Sequence, residues 1–148
     1  MRQPQQQEKF SFQTQKETEA FFNQLKNQMP QKLLILLEGE MGSGKTQIVS
    51  WLTEAAQSPT FAFHHRYQLR NQVFDHFDLD RVQTEDELES VGLWDILHES
   101  KGCVMVEWPQ RVPFNQWPRD WPLLHIQISK GSTEEARDLV LTRYAALL

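Results

Sequence analysis

Eight residues, Gly39-Glu40-Met41-Gly42-Ser43-Gly44-Lys45-Thr46, constrain this chain more than any other feature. They match Gly-x-x-x-x-Gly-Lys-Ser/Thr, the Walker A pattern, in which a glycine turn joins a buried strand to a helix. The surrounding text supplies that context. Lys32–Glu38 (KLLILLE) is apolar without alternation, as in a strand buried on both faces. Lys45–Ala56 follows with Ile48, Leu52 and Ala55 on one helical face. In such a turn successive backbone N–H groups face inward as an anion nest, and the start of the helix adds its dipole and free donors. Lys45 would reach the β- and γ-phosphates of a bound nucleotide, and the Thr46 hydroxyl would meet its magnesium ion. The nucleotide contacts expected from the loop are therefore Gly39, Glu40, Met41, Gly42, Ser43, Gly44, Lys45 and Thr46.

A site of this kind needs a second carboxylate at the end of a neighbouring strand. Val104-Met105-Val106-Glu107 has that form, an apolar strand and then an acid, so Glu107 is the expected metal-side and catalytic acid beside Lys45. Asp78, after Val73-Phe74-Asp75-His76-Phe77, has two readings: a third acid of the site, or a solvated member of an acidic stretch.

The rest of the chain punctuates itself. Met1–Lys9, with Gln3, Gln5, Gln6 and Gln7 around Pro4, reads as a frayed tail, leaving residues 10–148 as one domain. Thr14-x-x-Glu17 has the form of a capping box, and the apolar spacing after it predicts a helix to about Met29. Phe61–Tyr67 and Gln72–Asp78 read as a hairpin turning at Arg70-Asn71. Thr84–His98 reads as helix with a break near Gly92, and Cys103–Val106 as a second buried strand. Arg111–Trp121 reads as loop, and Leu123–Ile128 as an alternating strand. The tail Ser132–Leu148 is open between helix, from Ser132-x-x-Glu135, and strand, from Leu139-Val140-Leu141-Thr142. The fold class that follows is α/β: a single P-loop NTPase-like domain with a mixed sheet flanked by helices.

Composition excludes several partners. No apolar run approaches the ~20 residues of a membrane-spanning helix, and the Gln-rich start lacks the apolar core of a secretory signal, so no membrane and a cytoplasmic location are expected. One cysteine, Cys103, forms no internal disulfide. The formal net charge is −5, with no basic stripe to grip a nucleic acid. Instead Asp75–Glu99 holds nine carboxylates against Arg81, as a solvated face or as a dock for a basic partner. His64 and His65 are adjacent on a strand and point to opposite faces, a poor metal pair. Trp117 and Trp121 either cover the edge of the core or form a docking surface, and Thr18, Phe10 and Phe12 either flank an adenine or pack on the sheet.

Several separated motifs then agree. Glu38–Thr46, Ser58-Pro59-Thr60-Phe61, His76-Phe77-Asp78-Leu79-x-Arg81, Glu87-Leu88-Glu89-Ser90-Val91-Gly92-Leu93 and Val106-Glu107-Trp108-Pro109 occur in that order. Together they resemble the bacterial TsaE (YjeE) family, which takes part in making threonylcarbamoyladenosine in tRNA. The resemblance implies a magnesium-dependent ATPase that works with a TsaB–TsaD-like pair and meets tRNA only through that complex. It makes Thr46 and Glu107 metal positions, Asp78 an acid that binds the magnesium or positions the attacking water, and Ser58–Phe61 a switch-like loop near the γ-phosphate, with Thr60 touching nucleotide. It also brings Arg137 of Glu135-Ala136-Arg137 toward the nucleotide and favours a strand over Asp138–Tyr144. The chain departs from the family pattern where Asp80 replaces a usual Tyr, where Gln110 replaces a frequent Glu, and in the short segment Gln47–Gln57.

Two other functions compete with the ATPase. A nucleotide-gated binding module would use ATP occupancy, not turnover, as its output. A small-molecule kinase would need an acceptor pocket and an Arg-bearing lid, and no Arg-rich lid segment is present.

Overall fold

The computed structural model describes residues 2–55 and 63–147. Strands β1 (Gln6–Phe12), β2 (Leu33–Glu38), β3 (His64–Leu69), β4 (Gln72–Asp78), β5 (Cys103–Glu107), β6 (Leu123–Lys130) and β7 (Arg137–Tyr144) form one mixed sheet in the order β1-β7-β6-β2-β5-β4-β3. The central strands β6, β2, β5 and β4 run parallel, and β7, β1 and β3 are added antiparallel at the flanks. Helices α1 (Gln15–Lys26) and α2 (Lys45–Thr53) cover one face, and α3 (Glu85–Ser90) and α4 (Leu93–Glu99) lie on the other.

The run in β2 is explained by this layering. Leu33, Ile35 and Leu37 pack with Phe22, Ile48 and Leu52 under α1 and α2. Leu34 and Leu36 pack with Leu88, Leu93, Trp117 and Trp121 on the opposite face. Both faces are dry, so neither needs polar residues. The two tryptophans close the core edge, and Trp121 Nε1 donates to Leu97 O at 3.0 Å. Parallel pairing also fixes the site, because it aligns the carboxyl ends of β2, β5 and β4, with Leu37 opposite Glu107 and Glu107 opposite Asp78.

Two expectations are corrected, and the open reading of the tail is decided for the strand that the resemblance favours. The Gln-rich start is not frayed throughout, since Gln6–Phe12 pair with Arg137–Arg143 along the sheet edge. Arg2 donates to the carbonyls of Pro118, Trp121 and Ala145 and so ties the two chain ends together. An edge strand faces water on one side, which is why polar glutamines serve there while Phe10 and Phe12 pack on Phe21. Helix α2 ends at Thr53, before the expected Ala56, because Glu54 takes a left-handed φ of 58°. The ambiguous tail is strand β7, and Thr133 Oγ1 caps the Ala136 N–H without starting a helix. The hairpin turning at Arg70-Asn71 and the break at Gly92 between α3 and α4 are as the sequence predicts.

Candidate functional site

The loop between β2 and α2 holds its shape through two glycines in the left-handed half of backbone space. Gly42 has φ 81° and Gly44 φ 114°, conformations that an L side chain would strain. Gly44 caps α2, so Lys45 and Thr46 begin the helix. Met41, 75% exposed, stands at the loop tip. Ser43 is buried, and its Oγ has no hydrogen-bond partner among the described residues.

Lys45 is a buried cation, 5% exposed. Its ammonium donates to Gly39 O and to Glu40 O (3.0 Å) and lies 4.5 Å from the centre of the Trp108 ring. Burial lowers its pKa, and the charges of Glu107, Asp78 and Asp80 oppose that shift. The Thr46 hydroxyl donates to the Glu107 carboxylate, at 3.2 Å from Oε1 and 3.3 Å from Oε2. Glu107 is itself buried at the end of β5. Asp78, its register partner on β4, is half-buried and accepts the Asp80 N–H at 3.1 Å. Burial pushes the Asp78 pKa up, and repulsion from Glu107 adds to this. Lys45, Thr46, Asp78, Asp80, Glu107 and Trp108 thus border one cleft of about 310 Å³ beside Gly42 and Gly44.

This cleft suits a magnesium ion bound to phosphate. Its donors are a hydroxyl and carboxylates, hard oxygen ligands of the type that ion takes, next to a loop of backbone N–H groups and a lysine.

Arg137 sits elsewhere. Its Nε donates to Ser43 O at 2.7 Å. It borders a second cavity of about 290 Å³, together with Thr18, Gly44, Gln47 and Trp51. Thr18 therefore faces a space next to the loop, whereas Phe10 and Phe12 pack at a tilt against Phe21. Thr60 and the rest of Ser58–Phe61 lie outside the described residues.

Two residues at the site carry no role in the sequence reading. Trp108, at φ 61°, lays its ring beside Lys45. His76 is completely buried and bonded to Glu107. The strand period was the available signal for His76, since it lies two residues before Asp78 and so on the same face. For Trp108 there was only its place next to the acid.

A glycine loop between a buried parallel strand and a helix, with an acid closing the adjacent strand, defines a P-loop nucleotide-binding protein. The chain belongs to the TsaE family: the model of that family, Threonylcarbamoyl adenosine biosynthesis protein TsaE, matches residues 12–139. Among curated proteins, the tRNA threonylcarbamoyladenosine biosynthesis protein TsaE of Borreliella burgdorferi is 36% identical over 87 residues, covering 55% of this chain and 64% of the relative. Its namesake in Synechocystis is 34% identical over 104 residues, 65% of this chain and 66% of that protein. The chain therefore spans just under two thirds of the length of these relatives. The crystal structure of the Bacillus protein YdiB shares the fold, with a TM-score of 0.71 at 22% identity, over 95% of this chain and 87% of that one. Among the described residues, no helix is long and apolar enough to cross a membrane.

Proposed function

We propose that this protein binds and hydrolyses ATP with magnesium, in support of threonylcarbamoyladenosine modification of tRNA, together with a TsaB–TsaD-like pair. The observation that carries this reading is the meeting of Lys45, Thr46, Asp78 and Glu107 around one cleft on the glycine loop. Lys45 already donates to two loop carbonyls, and phosphate oxygens are stronger acceptors, so its ammonium would turn to the β- and γ-phosphates. The backbone of Gly39–Thr46 would cradle the phosphates. Thr46, Glu107 and Asp78 would hold the magnesium, which when bound neutralises charge on the phosphate oxygens. Asp78, half-buried on the cleft, would also orient the attacking water. Arg137, fixed to the Ser43 carbonyl beside the second cavity, would face the nucleoside end of ATP. The switch-like loop Ser58–Phe61, with Thr60, would close over the γ-phosphate.

Within such an assembly the pair would carry the tRNA, and ATP hydrolysis here would drive or reset its cycle. The test is phosphate release from Mg-ATP by the protein alone and with the pair. Release with the pair, abolished by Lys45→Ala, is the expected result. Wild-type release by Lys45→Ala would overturn the assignment. ATP binding without release in either case would favour a nucleotide-gated module, and transfer to an acceptor other than water a kinase.

A further inference from the structure

Glu107 is gripped from two sides, and only one grip comes from the glycine loop. Thr46 Oγ1 supplies that one. The other is His76, whose Nε2 lies 2.6 Å from Glu107 Oε2. His76 is 0% exposed, one strand away on β4. Its second ring nitrogen, Nδ1, is buried with no hydrogen-bond partner among the described residues. A buried polar atom left unpaired is destabilising, and an apolar side chain at this position would avoid that cost. The imidazole is therefore poorly explained as core filling. The electrostatics give it a task. Asp78 stands directly opposite Glu107 in the β4–β5 register, and like charges so placed push apart. A glutamate side chain with several rotatable bonds would swing away under that repulsion unless something held it.

We propose that His76 is the positioning residue for Glu107. Its Nε2–H donates to Oε2 and holds the carboxylate facing the Thr46 hydroxyl, so that the acid is already in place when a magnesium nucleotide arrives. Outer partners of this kind typically set metal affinity by about 10- to 100-fold. This inference rests on the reading of Glu107 as a magnesium-side acid.

The test is calorimetric titration with ADP, in magnesium chloride and again in EDTA, on the full chain. Four variants are compared with wild type: His76→Leu, His76→Gln, His76→Asn and Glu107→Gln. Thermal unfolding reports whether each is folded. His76→Leu should reduce the magnesium-dependent gain in ADP affinity by about 10-fold or more, with affinity in EDTA within about threefold of wild type. His76→Gln, whose amide nitrogen reaches roughly where Nε2 sits, should recover most of the gain. His76→Asn, one methylene shorter, should not. That Gln–Asn contrast decides the matter if the leucine variant does not fold. A magnesium-dependent gain equal to wild type in His76→Leu, or equal gains in the Gln and Asn variants, would overturn the positioning role. So would a loss of affinity identical in magnesium and EDTA. If Glu107→Gln loses the gain while the His76 variants keep it, only the inference about His76 falls. If Glu107→Gln keeps it, the metal reading of the cleft falls and takes the inference with it.

Discussion

Asp75 has no accessible surface, yet it stays charged because two side chains of the edge strand reach it. Burial alone would raise its pKa. Hydrogen bonds from His64 Nε2 (2.7 Å) and Arg66 Nε (2.9 Å) outweigh burial and hold the carboxyl below its ordinary value of 3.8. A folded-state pKa below the unfolded one contributes stability that is full above the unfolded value and is lost as pH falls through the folded one. Wild type should therefore lose stability below about pH 4 more steeply than Asp75→Asn, in urea unfolding series at stepped pH. At neutral pH the substitution should cost about 1–3 kcal/mol, the range for a bond to a charged group, since water screens the exposed Arg66. Parallel curves for the two proteins would show that the fold does not hold the Asp75 pKa below its unfolded value. The same residue shows what sequence reading reaches. Asp75 counts among the nine acids of Asp75–Glu99, but the pleat turns it inward to a pair that only the β3–β4 register brings together. Lys45, Thr46 and Glu107 were legible because each is fixed by local text, a glycine spacing or a strand end. His76 was not, because its meaning depends on a carboxylate across the sheet.

At the scale of elements, the strands with two dry faces were the easiest to read and the edges the hardest. β2 and β5 announce themselves by apolar runs. β1 does not, since its partner β7 is more than 120 residues away and its own glutamines match a solvated edge. If β1 belongs to the fold as described, Phe12→Ala should destabilise the protein by about 1–3 kcal/mol, less than the 3–5 kcal/mol of a fully buried phenylalanine. Urea denaturation would show it as a lower midpoint with an unchanged slope. An unchanged midpoint would show that Phe12, at the end of β1, does not pack in the fold as described. The helix break at Gly92 and the hairpin turn were legible because turn chemistry is local, whereas the choice between helix and strand for Arg137–Tyr144 was settled by pairing with β6 and β1.

Across the whole molecule, the acidic stretch divides in two. Asp75 is committed to its buried pair and Asp78 to the cleft, while Glu85, Asp86 and Glu89 remain exposed on or near α3. Glu87 accepts the Gln83 N–H at 3.2 Å and helps to start that helix, so its replacement would confuse folding with docking. If this face docks a basic partner, Glu85→Lys with Glu89→Lys should slow association with a TsaB–TsaD pair, and wild-type association should weaken as salt rises. Unchanged association at low salt would leave a merely solvated face. The fold places the carboxyl ends of β2, β5 and β4 side by side, and the central claim is that this geometry makes Lys45, Thr46 and Glu107 one magnesium-nucleotide site. The most direct measurement is a double-mutant cycle on ADP affinity, with and without magnesium, for Thr46→Ala, Glu107→Gln and the pair. Each single change should remove most of the magnesium-dependent gain, and the double change should cost far less than the sum of the two. Additive losses, or losses that ignore magnesium, would contradict a shared site.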